Sequence, residues 1–153
     1  MKRLVLSMLV AVLAAGAAAA QEPGGAKTSK PKPSFPPGCV EVQHILVSFD
    51  GAPRIKPPGR TKEEAAKLAA EVLGRARKGE DFLKLVEKYT SDSAPGVYRM
   101  CDQNPAPPTF VPRGNMVKAF GDVSFSLKPG EIGTTTYDPQ TSPYGWHIIK
   151  RLR

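Results

Sequence analysis

Val40-Glu41-Val42-Gln43-His44-Ile45-Leu46-Val47-Ser48-Phe49 decides how the rest of the chain is read. β-Branched and large apolar residues dominate it, as they do in strands. Side chains alternate along a strand, so Val42, His44 and Leu46 share one face and Ile45, Val47 and Phe49 the other. Apolar residues on both faces predict a central strand covered on both sides. His44 has one counterpart in the chain, His147, inside a second apolar stretch running from Trp146 to Leu152. Whether those two rings meet is the main functional question.

Toward the N-terminus, Lys2 and Arg3 precede an apolar run from Leu4 to Ala15, and Ala18-Ala19-Ala20 supplies a small-residue cleavage pattern. Residues 1–20 therefore read as a secretory signal peptide. The alternative is a membrane anchor, but the run is short for a span, which needs roughly 20 apolar residues. No cysteine follows the expected cut, so a lipid anchor is not indicated. Residues 21–38 carry five prolines among Gly, Ser and Lys and read as a disordered tether. Residues 39–153 are long enough for one domain with one core.

Export implies an oxidising compartment, periplasmic or extracellular. Cys39 and Cys101, the two cysteines of the chain, read as one disulfide or as two unpaired thiols, and the compartment favours the disulfide. The formal charge of +8 includes Lys2 and Arg3 of the signal. The remaining positive charge is spread along the chain without the aromatic interleaving that single-stranded nucleic acid needs, and reads as solvated surface. No nucleic-acid partner and no stable membrane insertion after signal cleavage are expected.

Downstream of the first strand, Asp50 to Arg60 is a Pro- and Gly-containing loop bearing Arg54, Lys56 and Arg60. Thr61 with Glu64 forms a capping-box pattern, and Ala65, Leu68, Ala69, Val72 and Leu73 recur at helical spacing up to Gly79. A shorter helix is predicted over residues 81–89, with Phe82, Leu85, Val86 and Tyr89 on one face. Thr90 to Gly96 is a turn cluster. Val97 to Pro112 lacks periodicity and reads as a structured loop over a pocket or an edge. A short helix is expected to begin near Asn115, placing Met116 and Phe120 on one face. Glu131 to Tyr137 and the stretch from Trp146 read as an antiparallel pair. Strands at both ends enclosing helices predict an α+β domain with an antiparallel sheet.

Several chemistries are disfavoured by spacing. Two distant histidines without HExxH or CxxC make a zinc site unexpected. No phosphate loop, GxSxG elbow or local triad pattern is present. His44 and His147 taken singly also read as satisfied core histidines. Met116 and Phe120 also read as core, and Asp92 as a turn residue bonding its own backbone.

Seven ordered pieces shift that balance: His44-Ile45-Leu46-Val47; Thr61-Lys62-Glu63-Glu64-Ala65; Gly79-Glu80-Asp81-Phe82; Tyr89 to Asp92; Arg113-Gly114-Asn115-Met116 with Phe120; Phe125 to Ile132; and Gly145-Trp146-His147-Ile148-Ile149-Lys150. Together they resemble the parvulin (PpiC-type) family of peptidyl-prolyl cis/trans isomerases, over roughly residues 40–153. The resemblance implies a parvulin/FKBP-like fold, a small antiparallel sheet of about four strands surrounded by helices. It implies that His44 and His147 approach each other on the concave face, with Asp92 beside the prolyl bond as the third catalytic residue. It also implies a substrate-binding set of Leu46, Met116, Phe120, Ser142 and Tyr144, with Met116 and Phe120 against the proline ring. The family's usual Gly-Asp-Leu-Gly-like edge segment is replaced here by Val97 to Thr109, so the pocket wall is expected to be rebuilt. In one branch of the family, cations after the first strand bind phosphate; Arg54, Lys56 and Arg60 occupy that loop here, and read mainly as solvated.

The expected function is an exported peptidyl-prolyl isomerase that assists folding of exported proteins, acting as a monomer on unfolded or proline-containing polypeptides. No cofactor or metal is expected. The alternative is a peptide-binding chaperone module of the same fold with weak or no isomerase activity.

Overall fold

The computed structural model describes residues 35–153. The expected signal segment 1–20 and tether residues 21–34 lie outside the described residues. Five strands form one sheet: β1 (Cys39–Val47), β2 (Val97–Cys101), β3 (Val111–Pro112), β4 (Ile132–Thr134) and β5 (Trp146–Arg151), in the order β3-β2-β1-β5-β4. The helices are α1 (Lys62–Arg77), α2 (Phe82–Tyr89) and α3 (Lys118–Ser126). The class is α+β, as expected. Four strands pair antiparallel, and the two-residue β3 adds a parallel edge that makes the sheet mixed.

β1 is the middle strand, and its alternation sorts the core into two layers. Ile45 and Val47 face α1 and α2 with Phe49, meeting Ala65, Ala69, Val72, Phe82, Leu85 and Val86. The alanines let α1 lie close to the sheet. Each fully buried Val, Leu or Ile in such a layer contributes roughly 1.5–3 kcal/mol of burial. α1 starts where its capping box predicts: Glu64 N–H donates to Thr61 Oγ1 at 3.2 Å, and Thr61 N–H to Glu64 Oε2 at 2.7 Å. Val40 and Val42 face the other way and pack with Met100, Ile149 and Phe120 of α3. α3 reaches this layer over Gly133, where a Cβ would lie 2.9 Å from Val123 Cγ1.

Two expectations change. The segment from Val97 is not a loop throughout: β2 pairs with β1 from Cys39↔Cys101 to Gln43↔Val97, and a Cys39–Cys101 disulfide joins the first of those pairs. Tertiary pairing, not local periodicity, makes this strand. The helix expected near Asn115 is instead a 3₁₀ turn at Arg113–Asn115, an extended Met116, and α3 from Lys118. Phe120, Val123 and Leu127 hold the helical spacing that locates it. Phe35, within the expected tether of residues 21–38, lies edge-on to Phe110 with ring centroids 5.4 Å apart.

Candidate active site

Strand register brings the histidines together. On β5, Ile149 faces His44 and His147 faces Leu46, so the two imidazoles are diagonal neighbours on one sheet face. Their rings lie nearly parallel, 15° apart, with Nδ1 to Nδ1 at 3.2 Å. Both are buried, at 3% and 4% exposure.

Asp92 reaches them because the turn after α2 continues the edge of β1 beyond β2. Leu46 N–H donates to Thr90 Oγ1 at 3.1 Å, Ser91 N–H to Leu46 O at 2.7 Å, and Ser48 N–H to Ser91 Oγ at 3.0 Å. Asp92 Oδ2 then sits 3.1 Å from His44 Nε2. The contact is ion-pair close but poorly aligned as a hydrogen bond, since Nε2 lacks a well-formed partner among the described residues. The Thr90 hydroxyl donates to the other carboxylate oxygen. Burial pushes Asp92 upward, but the close contact with the His44 ring, with the Thr90 hydroxyl and its own backbone N–H, outweighs it and holds the carboxyl below its ordinary value.

That charge selects the tautomers. A carboxylate at His44 Nε2 favours the proton there, which leaves His44 Nδ1 to accept and His147 Nδ1 to donate. His147 Nε2 then presents a bare lone pair, with no hydrogen-bond partner among the described residues. Burial first, then the neighbouring His44 ring, drive the His147 pKa down from 6.5 to about 3 despite the opposing pull of Asp92. His147 is therefore a neutral imidazole across ordinary pH. Its backbone is fixed by Thr135, whose N–H donates to His147 O at 2.9 Å and whose hydroxyl accepts His147 N–H at 3.0 Å.

A cavity of about 290 Å³ opens above the pair. His44, Asp92 and His147 line it beside Leu46, Met116, Phe120 and Tyr144. Phe120 touches both imidazoles edge-on or tilted, at 5.1 and 5.3 Å between centroids. Ser142 differs from expectation. It is fully buried and absent from the lining; its hydroxyl donates to Gly145 O at 2.8 Å and accepts from Thr135. It therefore holds the turn bearing Tyr144 and does not present a hydroxyl to the cavity.

Residues beyond the expected set also line the cavity. Tyr98 of β2 stands edge-on to His44 at 5.1 Å, and its hydroxyl is pushed up by burial and by Asp92. Its signal was the alternation of Tyr98 and Met100 in a segment read as a loop. Ile55 and Arg54 reach the rim from the basic loop, Arg54 with a left-handed backbone at φ 58°; Lys56 and Arg60 do not line the cavity. Among the described residues, no group of three or more His, Cys, Asp or Glu could hold a metal ion. The arrangement offers an apolar slot, one anion, one cation and a short polar chain ending in a bare nitrogen. It can hold a compact apolar ring and act on the amide beside it through hydrogen bonds.

The family described as the PPIC-type PPIASE domain matches residues 27–152. A foldase protein, PrsA, from a Geobacillus species is 38% identical over 126 residues, covering 81% of this chain and 33% of that protein. The chaperone SurA of Pseudomonas fluorescens is 30% identical over 114 residues, covering 74% of this chain and 22% of that protein. This chain thus spans a third or less of the length of these curated relatives. Among solved structures, a peptidyl-prolyl isomerase from Candida albicans is similar in fold, with a TM-score of 0.56 at 24% identity over 76% of this chain and 63% of that one.

Proposed function

Because the chain belongs to the PPIC-type peptidyl-prolyl isomerase (PPIASE) domain family, we propose that it catalyses cis/trans isomerisation of X-Pro bonds in polypeptide clients and thereby assists their folding. The observation that carries this reading is the 3.2 Å approach of His44 and His147 at the wall of an apolar cavity. Rotation about a peptide bond faces a barrier of ~18–20 kcal/mol, because resonance stiffens the C–N bond. No bond breaks, so no nucleophile is needed. The site must favour the twisted amide over both planar forms.

Met116, Phe120 and Leu46 provide the apolar contacts for the proline ring. Met116 is adaptable enough for a ring that changes its tilt. His44, Asp92 and His147 form the polar side, and their fixed hydrogen bonds set the field around the amide. An amide twisted out of conjugation gains a basic nitrogen and a less negative oxygen. Preorganised dipoles that match this redistribution lower the barrier without proton transfer to solvent.

The pattern in residues 1–20 supports action outside the cytoplasm, and the names of the relatives, foldase and chaperone, support folding assistance. The name chaperone also favours a second reading, in which the cavity binds clients without accelerating isomerisation. Refolding of a client limited by a slow prolyl bond separates the two. The isomerase reading requires a faster slow phase at catalytic protein concentration. An unchanged slow phase with suppressed aggregation would replace it by the chaperone reading.

A further inference from the structure

We propose that Asp138 is a positioning residue for the proline slot: its turn supplies the missing cap of α3 and fixes the wall formed by Met116 and Phe120. This deepens the proposed isomerase site and rests on it. The N-terminal end of a helix leaves amide donors without intrahelical acceptors, and a side chain at the N-cap usually takes the second or third. α3 begins after Val117, which makes no side-chain cap. The second amide of the helix, Ala119 N–H, donates instead to Thr141 O at 3.0 Å. A distant turn thus does the work of a capping side chain.

Asp138 shapes that turn. A single oxygen, Oδ1, accepts Gln140 N–H at 2.9 Å, Thr141 N–H at 2.7 Å and the Thr141 hydroxyl at 2.9 Å. The backbone closes behind it, with Ser142 N–H donating to Asp138 O at 2.9 Å. With both its N–H and its hydroxyl held by one carboxylate, Thr141 has its carbonyl aimed at α3. Ala119 precedes Phe120 directly, and Met116 lies three residues back.

The same turn reaches the opposite wall. Ser142 is joined through the Thr135 hydroxyl to the backbone N–H of His147, and through its own hydroxyl to the carbonyl of Gly145, next to Tyr144. Asp138 therefore ties the α3 side of the slot to the β5 side and sets the distance between them. It does not line the cavity itself.

The test compares D138A with D138N, whose amide oxygen can accept the same backbone donors. Hydrogen exchange read by NMR should show Ala119 protection falling about tenfold or more in D138A and staying within about twofold of wild type in D138N. For a proline tetrapeptide, KM should rise in D138A by roughly 3- to 10-fold with a smaller change in kcat, and D138N should restore it. Wild-type Ala119 protection in D138A, lost protection with unchanged KM, or equal impairment of both variants would each overturn the proposal. If the wild-type protein does not catalyse isomerisation, the peptide Kd replaces KM and is read against the same expectations. A failed isomerase reading and a failed role for Asp138 are thereby told apart.

Discussion

His44 and His147 meet through like atoms, Nδ1 against Nδ1 at 3.2 Å, across 103 residues of chain. A hydrogen bond between two such nitrogens needs one proton between them, so the rings form a unit whose state is set by Asp92 at the far side of His44.

A unit behaves non-additively. His44→Gln and His147→Gln should each lower kcat/KM for a proline tetrapeptide by about 10- to 100-fold. The double variant should fall no more than about threefold below the worse single one. Steady-state kinetics on the three variants checks this, and multiplication of the two single effects would mean that the rings act separately.

The depressed His147 pKa makes stability depend on pH. The folded protein keeps His147 neutral down to about 3, whereas the unfolded chain protonates it near the ordinary 6.5. The unfolded state therefore binds more protons between those values, and stability falls as pH drops below 6.5. The lowered Asp92 pKa acts in the same direction, but only near and below the ordinary carboxylate value. Urea unfolding between pH 7 and 5 isolates the histidine contribution. His147→Gln should flatten the slope in that window.

Met116 and Phe120 should separate binding from folding. Phe120 is 2% exposed and joins the α3 layer of the core, so Phe120→Ala should cost roughly 3–5 kcal/mol of stability besides activity. Met116 is only partly buried and extended in backbone, so Met116→Ala should cost less than about 1.5 kcal/mol while raising KM several-fold. Denaturant midpoints measured beside kinetics decide between these outcomes.

Gly96 lies at φ +67°, and a Cβ there would stand 2.5 Å from His44 O and 3.3 Å from His44 Cδ2. Gly96→Ala should cost roughly 2–4 kcal/mol, combining left-handed strain with the clash. It should also displace His44, visible as a shift of its ring resonances. A variant with wild-type stability would contradict the close approach.

The disulfide closes 62 residues of chain, for which chain entropy predicts about 4 kcal/mol of stabilisation. Cys39→Ser with Cys101→Ser should lower the denaturant midpoint accordingly and loosen β2, which carries Tyr98. A mass increase of two alkyl groups on alkylation without prior reduction would show that the pair does not form.

What was legible in the chain followed the strength of its local signals. β1, α1, α2 and β5 were readable because each combines a long apolar pattern with a clear cap or boundary, as Thr61 and Glu64 do for α1. α3 was misplaced because its cap comes from Thr141, more than twenty residues away, and no local residue marks its start. β2 was missed because Val97 to Cys101 is short and mixed in polarity; pairing with β1 and the disulfide give it its shape. Ser142 is expected at the substrate from the family resemblance alone, but its hydrogen bonds with Thr135 and Gly145 turn it inward. Tyr98 could have been found only by knowing that its segment was a strand.

The most direct measurement is cis/trans exchange of a proline tetrapeptide by NMR, with catalytic amounts of folded wild-type protein and of His147→Ala. Wild type should accelerate exchange well beyond the uncatalysed tens to hundreds of seconds, with peptide-induced shifts centred on Met116 and Phe120, and His147→Ala should lose most of the acceleration. Unchanged exchange with folded wild-type protein, or acceleration that survives intact in folded His147→Ala, would contradict isomerisation at the His44–His147 cavity.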